Sequence, residues 1–136
     1  MIVLDTHAAI WYAAGMKLKP KALRQIHEHA ATKTIILSAI SAWEIGMLAS
    51  KGRLHIIDRT AISYVDALFK REGVNEQPVT ARIAELAARL PGEFRGDPAD
   101  RIIVATAVIY AATLVSRDER ILKYAKATSF VSVLPC

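Results

Sequence analysis

Four short segments each place a carboxylate where an apolar run gives way to a new helix. They are Ile2-Val3-Leu4-Asp5-Thr6, Ser41-Ala42-Trp43-Glu44, Gly96-Asp97-Pro98-Ala99-Asp100-Arg101 and Leu114-Val115-Ser116-Arg117-Asp118. Taken singly, such acids serve as helix caps. Ser41 with Glu44 has the spacing of a capping box, Asp97 before Pro98 that of an N-cap with Asp100 at N3, and Asp5 and Asp118 can each cap the helix that follows. Taken together, on one edge of a sheet, four carboxylates repel one another unless a cation sits among them. Carboxylate oxygens are the preferred donors to Mg²⁺ and Mn²⁺. A divalent ion so placed activates a water and neutralises developing charge, which is what phosphodiester hydrolysis needs.

The elements that must position these acids read as strands alternating with helices. Met1 to Leu4 is a short buried strand. A helix follows through Ile10, Trp11 and Tyr12, and Pro20 opens a second one at N1. Thr34 to Leu37 is the second strand, with helices from Ser41 and from Thr60 to Glu72 after it. Val74 to Val79 is extended, Thr80 caps a helix, and Pro98 starts the most apolar helix, which runs to about Ala112. Thr113 to Ser116 is a strand, Asp118 opens a helix to about Tyr124, and Phe130 to Val133 is the last strand. Unbroken apolar strands alternating with helices predict an α/β fold: a parallel sheet covered on both faces. Right-handed crossovers then bring every strand's carboxyl end, and all four acidic segments, to one side.

The 136 residues fit one domain, 1–136, with an apolar fraction of 53% and 23% charged residues. Eighteen Lys and Arg against 13 Asp and Glu give a net charge of +5, which favours an acidic partner such as nucleic acid. Cys136 stands alone, so no intrachain disulfide and no cysteine metal site can form, and a reducing compartment, the cytoplasm, is expected. Asp5 interrupts the opening apolar run, which argues against a signal peptide. The uncharged stretch Ile102 to Ser116 is shorter than the roughly 20 residues that span a bilayer, so no membrane partner is expected. The four histidines do not form a zinc pattern, although His7 lies two residues from Asp5. Trp11 and Trp43 read as packing residues, with base stacking as the lesser alternative. The basic series Lys17, Lys19, Lys21, Arg24 and Arg117, Arg120, Lys123, Lys126 reads as solvated helix faces. They are also the first groups to assign to a phosphate backbone.

The set Val3-Leu4-Asp5-Thr6-His7, Ser41-Ala42-Trp43-Glu44-Ile45, Asp97-Pro98-Ala99-Asp100-Arg101 leading into Ala105-Thr106-Ala107, and Leu114-Val115-Ser116-Arg117-Asp118 resembles the PIN domain, specifically the VapC toxins of bacterial type II toxin–antitoxin pairs. The resemblance covers the whole chain. It implies a five-stranded parallel sheet with helices on both faces, dimerisation, Mg²⁺- or Mn²⁺-dependent cleavage of RNA, and a small cognate antitoxin. By motif position it assigns Asp5, Glu44, Asp100 and Asp118 to the family's acidic quartet, both catalytic and metal-binding. Thr6 and Ser116 match the hydroxyl residues beside that quartet, and Ser116 stands where many relatives carry threonine. Asp97 ranks as a cap with a metal-linked role open to it. Arg101, Arg117 and Lys17 are the candidate contacts to RNA.

Two rival readings come from other classes. A phosphotransferase with an aspartyl nucleophile resembles Asp-x-Asp at the first strand, whereas Asp5-Thr6-His7 lacks the second acid. A non-catalytic module binding nucleic acid or protein, its acids serving only as caps, is separated from the nuclease reading by metal binding.

Overall fold

Period-two alternation within the strands sorts the apolar residues into two cores. The computed structural model describes residues 1–56 and 59–136. Its elements run β1 Ile2–Leu4, α1 Thr6–Ala13, α2 Pro20–Ala31, β2 Ile35–Ser38, α3 Ile40–Ser50, α4 Ala61–Phe69, β3 Val74–Gln77, α5 Ala81–Ala88, α6 Pro98–Ile109, β4 Thr113–Ser116, α7 Glu119–Thr128 and β5 Val133–Pro135. Ile2, Leu4, Ile35, Leu37 and Val115 face one way and pack with Ala9, Ile26, Ile45 and Leu68 of α1 to α4. Val3, Ile36 and Leu114 face the other way and pack with Ile83, Leu86, Ile103, Val104 and Ile121 of α5, α6 and α7. The expected α/β fold, a parallel sheet with helices on both faces, is what the chain forms.

The sheet order is β3-β2-β1-β4-β5, and every pairing is parallel. Chain direction across the sheet reverses between β1 and β4, because the chain adds β2 and β3 on one side of β1 and then returns to add β4 and β5 on the other. In open α/β sheets the crevice at such a switch point, beyond the carboxyl ends of the strands, is where ligands bind. Asp5 leaves β1 there, and Asp118 follows β4 there.

Several sequence expectations shift, among them α4, which ends at Phe69 rather than Glu72, and α6, which ends at Ile109 rather than about Ala112. The last strand is Val133–Pro135 rather than Phe130 to Val133, because its register is set by pairing Leu114 with Val133 and Ser116 with Pro135. As an edge strand it tolerates the proline. Helix α7 continues past Tyr124 to Thr128, held by the Tyr124 hydroxyl donating to the Pro91 carbonyl at 2.7 Å. Helix α3 begins at Ile40, with Ala39 at the cap position and no side-chain cap. The caps at Thr80, Asp97 and Asp118 form as expected, and Thr60 adds one at the start of α4.

Gly73 makes the turn into β3 with φ of +82°, and a Cβ there would lie 2.5 Å from the Ala30 carbonyl oxygen of α2. Both backbone conformation and space therefore demand glycine. Gly73→Ala is expected to lower unfolding stability by roughly 1–3 kcal/mol from backbone strain alone, more once the contact with α2 is added. Urea denaturation followed by circular dichroism checks this.

Candidate active site

Asp5, Glu44, Asp97, Asp100 and Asp118 line one cleft of about 420 Å³, together with His7, Trp11, Leu48, Arg117 and Arg120. Five acids from four segments therefore converge as the topology requires. The cap explanation holds for only part of the set. Asp97 and Asp100 form a full capping box at the start of α6, with the Asp100 N–H donating to Asp97 Oδ1 at 2.9 Å and the Asp97 N–H to Asp100 Oδ2 at 3.3 Å. Asp118 caps α7. Asp5 stands at the cap position of α1, but its side chain makes no cap bond.

The expected Ser41–Glu44 capping box is absent, since α3 starts at Ile40 and Glu44 lies a full turn inside it. Both side chains turn instead to Thr6. Thr6 Oγ1 donates to Glu44 Oε1 at 2.6 Å and lies 2.7 Å from Ser41 Oγ. With its one proton committed to Glu44, Thr6 accepts from Ser41. Ser116 does similar work on the other side. Its hydroxyl donates to Asp5 Oδ2 at 2.6 Å and accepts the Asp118 N–H at 3.0 Å, joining the ends of β1 and β4. The two hydroxyl residues singled out in the sequence thus each fix one acid.

A third fixture was not anticipated. Arg120, read in the sequence as part of a solvated face, folds back over the start of α7. Its Nη2 donates to Asp118 Oδ2 at 2.9 Å and to Asp100 Oδ2 at 3.0 Å. The signal available in the sequence was a cation in a helix's first turn, where the macrodipole disfavours one.

The bonds leave a pattern. Asp5, Glu44 and Asp100 each have one carboxylate oxygen held by a side-chain donor, while the other accepts no side-chain hydrogen bond among the described residues. In Asp118 both oxygens are held by Arg120. Oxygens of Glu44, Asp97 and Asp100 lie within 4.8 Å of one another, a grouping that could hold a metal ion. A donor set made only of carboxylates fits a hard divalent cation such as Mg²⁺ or Mn²⁺.

Charge crowding shows in the proton affinities. Burial, together with the neighbouring Asp5 and Asp97, pushes Glu44 up to about 7 against the bond from Thr6. Burial, Asp97 and Asp5 likewise push Asp100 up to about 7. Burial also raises Asp5, against its bond from Ser116. Burial pulls Asp118 the same way, but hydrogen bonds from the Arg120 side chain and backbone outweigh it, and its carboxyl lies below the ordinary value.

The remaining sequence candidates divide. His7 is exposed and lines the cleft, its ring 5.5 Å from that of half-buried Trp11. Trp43 is 58% exposed and so is not a core residue. Arg117 stands at the rim, its guanidinium carbon 4.3 Å from the Trp11 ring centroid, and it donates to the carbonyls of Cys136 and Lys17. Lys17 is exposed beside it. Arg101 is placed differently from the RNA contact expected of it. It lies outside the cleft and donates to the carbonyls of Ala87, Phe94 and Ala88 at 2.8, 3.1 and 3.2 Å, tying α6 to the end of α5 and the loop behind Asp97.

The fold and this cluster define an α/β domain with a carboxylate-lined cleft at the switch point of a parallel sheet. The chain belongs to the PIN domain family, whose match spans residues 2–127. It is 35% identical over 120 residues to Ribonuclease VapC22 of Mycobacterium tuberculosis (strain ATCC 25618 / H37Rv), covering 88% of each chain. Its fold is similar to that of VapBC2 from Rickettsia felis, solved bound to a promoter DNA fragment, at 20% identity and a TM-score of 0.68 over 99% of this chain and 98% of that one. FitAcB from Neisseria gonorrhoeae is similar at 18% identity and a TM-score of 0.64 over 98% and 96%. No helix among the described residues is long and apolar enough to cross a membrane.

Two measurements follow from this geometry. In the folded, metal-free chain Glu44 and Asp100 keep their protons to about pH 7, against ordinary values of 4.5 and 3.8. The folded state therefore binds more protons between those limits. The contribution of these two groups is full below about pH 4 and is lost as pH rises toward 7, so stability should decline between about pH 5 and 7. Thermal melts in EDTA should show this decline, and melts in excess Mn²⁺ should not. Separately, Arg101→Met should cost about 1–3 kcal/mol in denaturant unfolding, by orphaning carbonyls, while leaving RNA affinity measured by filter binding unchanged.

Proposed function

We propose that this chain, acting as one domain of residues 1–136, is a Mg²⁺- or Mn²⁺-dependent endoribonuclease. In this reading it is the toxin of a type II pair, held in check by a small cognate antitoxin and working as a homodimer in the cytoplasm. The observation that carries the reading is the convergence of Asp5, Glu44, Asp100 and Asp118 in one cleft of a chain 35% identical to a ribonuclease. The solved VapBC2 and FitAcB structures support the fold. The cap-only alternative is disfavoured because Asp5 and Glu44 cap nothing.

Asp5 and Asp100, each with one oxygen free of a side-chain donor among the described residues, would hold the ion directly. When bound, the divalent ion supplies charge against the phosphate and acidity to the attacking water. Glu44, held by Thr6 at one oxygen, orients that water with the other. Asp97 sets the Asp100 backbone through the capping box and adds charge beside it. Thr6 and Ser116 fix the acids' rotamers. Arg117, at the cleft rim, and Lys17 next to it hold the RNA backbone by charge.

Purified protein free of antitoxin should cut total cellular RNA into discrete fragments with Mg²⁺ or Mn²⁺, and not with EDTA. Asp5→Ala and Asp100→Asn should reduce cleavage about 100-fold or more. Asp100→Asn keeps the capping box, and should raise the melting temperature of the metal-free protein at pH 8 because it removes a charge that burial opposes. Full cleavage by either variant refutes the assignment.

A further inference from the structure

Arg120 has no packing reason to lie where it does. Its side chain is 49% exposed, whereas that of Asp100, which it reaches, is only 8% exposed. It also sits in the first turn of α7, where helix amino ends favour anions. What holds it is a two-point grip on Asp118, Nε to Oδ1 at 3.3 Å and Nη2 to Oδ2 at 2.9 Å, extended by Nη2 to Asp100 at 3.0 Å. A forked guanidinium can satisfy both oxygens of a carboxylate and still reach a second acid.

In two-metal hydrolases the ions stand about 3.5–4 Å apart. In this cleft a cation already bridges Asp100 and Asp118, and it is covalently part of the chain. Glu44, Asp97 and Asp100 each bring an oxygen within 4.8 Å of the others, and Asp5 keeps one oxygen free of side-chain donors among the described residues.

We propose that Arg120 is an internal cation that takes the place of a second metal ion, so that the cleft takes one divalent ion, on the side of Glu44, Asp97 and Asp100 and beside Asp5. The inference rests on the metal-dependent reading above. Asp118 is then a positioning residue that acts through Arg120 rather than a direct ligand.

The test counts ions directly. Mn²⁺ is titrated into wild type, Arg120→Gln, Arg120→Met and Arg120→Lys, with calorimetry for stoichiometry and electron paramagnetic resonance for spin-coupled pairs. Circular dichroism in EDTA verifies that each variant is folded. Wild type and Arg120→Lys should bind one ion per chain with no coupled-pair signal. Arg120→Gln and Arg120→Met should bind two with the coupled signal, because Asp118 becomes available. Two ions in wild type, or one in wild type and in a folded neutral variant alike, overturns the inference while leaving the nuclease reading intact. No ion bound by wild type removes the metal-dependent reading itself.

Discussion

The mutual repulsion of carboxylates at the carboxyl edge of the sheet is the constraint around which the rest is arranged. A parallel sheet that reverses direction between β1 and β4 delivers Asp5 and Asp118 to one crevice, and the starts of α3 and α6 add Glu44, Asp97 and Asp100. Left alone, these charges would push the edge apart. Side-chain donors tie four of them instead: Ser116 to Asp5, Thr6 to Glu44, and Arg120 to Asp118 and Asp100. The ties do not fully offset burial, and Glu44 and Asp100 remain proton-hungry at about 7. A cleft in that condition stores unfavourable charge that a cation relieves, which connects the fold's topology to its proposed chemistry.

Much of this was legible in the sequence because parallel strands buried on both faces are unbroken apolar runs. Ile2-Val3-Leu4, Ile35-Ile36-Leu37 and Leu114-Val115 announce themselves, and each acid marks the end of a run or the start of a helix. What escaped was governed by contacts between distant elements. Ser41 and Glu44 have capping-box spacing, but Thr6, 38 residues from Glu44, offers the better partner once α1 packs on α3. Arg120 looks like one of a series of solvated cations, and only the folded chain shows the acid from α6 beside it. Arg101 sits in a motif shared with catalytic acids yet serves packing, because its helix turn faces the end of α5. The start of β5 depended on register with β4, which an apolar run cannot specify by itself.

The net charge of +5 and the acidic cleft are complementary rather than contradictory. A polyanion is drawn by the basic surface as a whole, whereas the cleft alone would repel it. Under the proposed function, the acids must be masked before a phosphate can approach them. The rim supplies part of that mask in Arg117, whose guanidinium is set by Trp11 and by the carbonyls of Cys136 and Lys17.

The central strand gives the site almost no slack. β1 is three residues long, each paired on both sides, and its side chains alternate strictly between the two cores. Losing or gaining one residue ahead of Asp5 would send Ile2 and Leu4 into the layer built for Val3. It would also move the carboxylate by about 3.3 Å along the strand. An insertion or deletion would be better borne by the outer helices and their connections. The opening segment then behaves as a fixed ruler against which the other acids are measured.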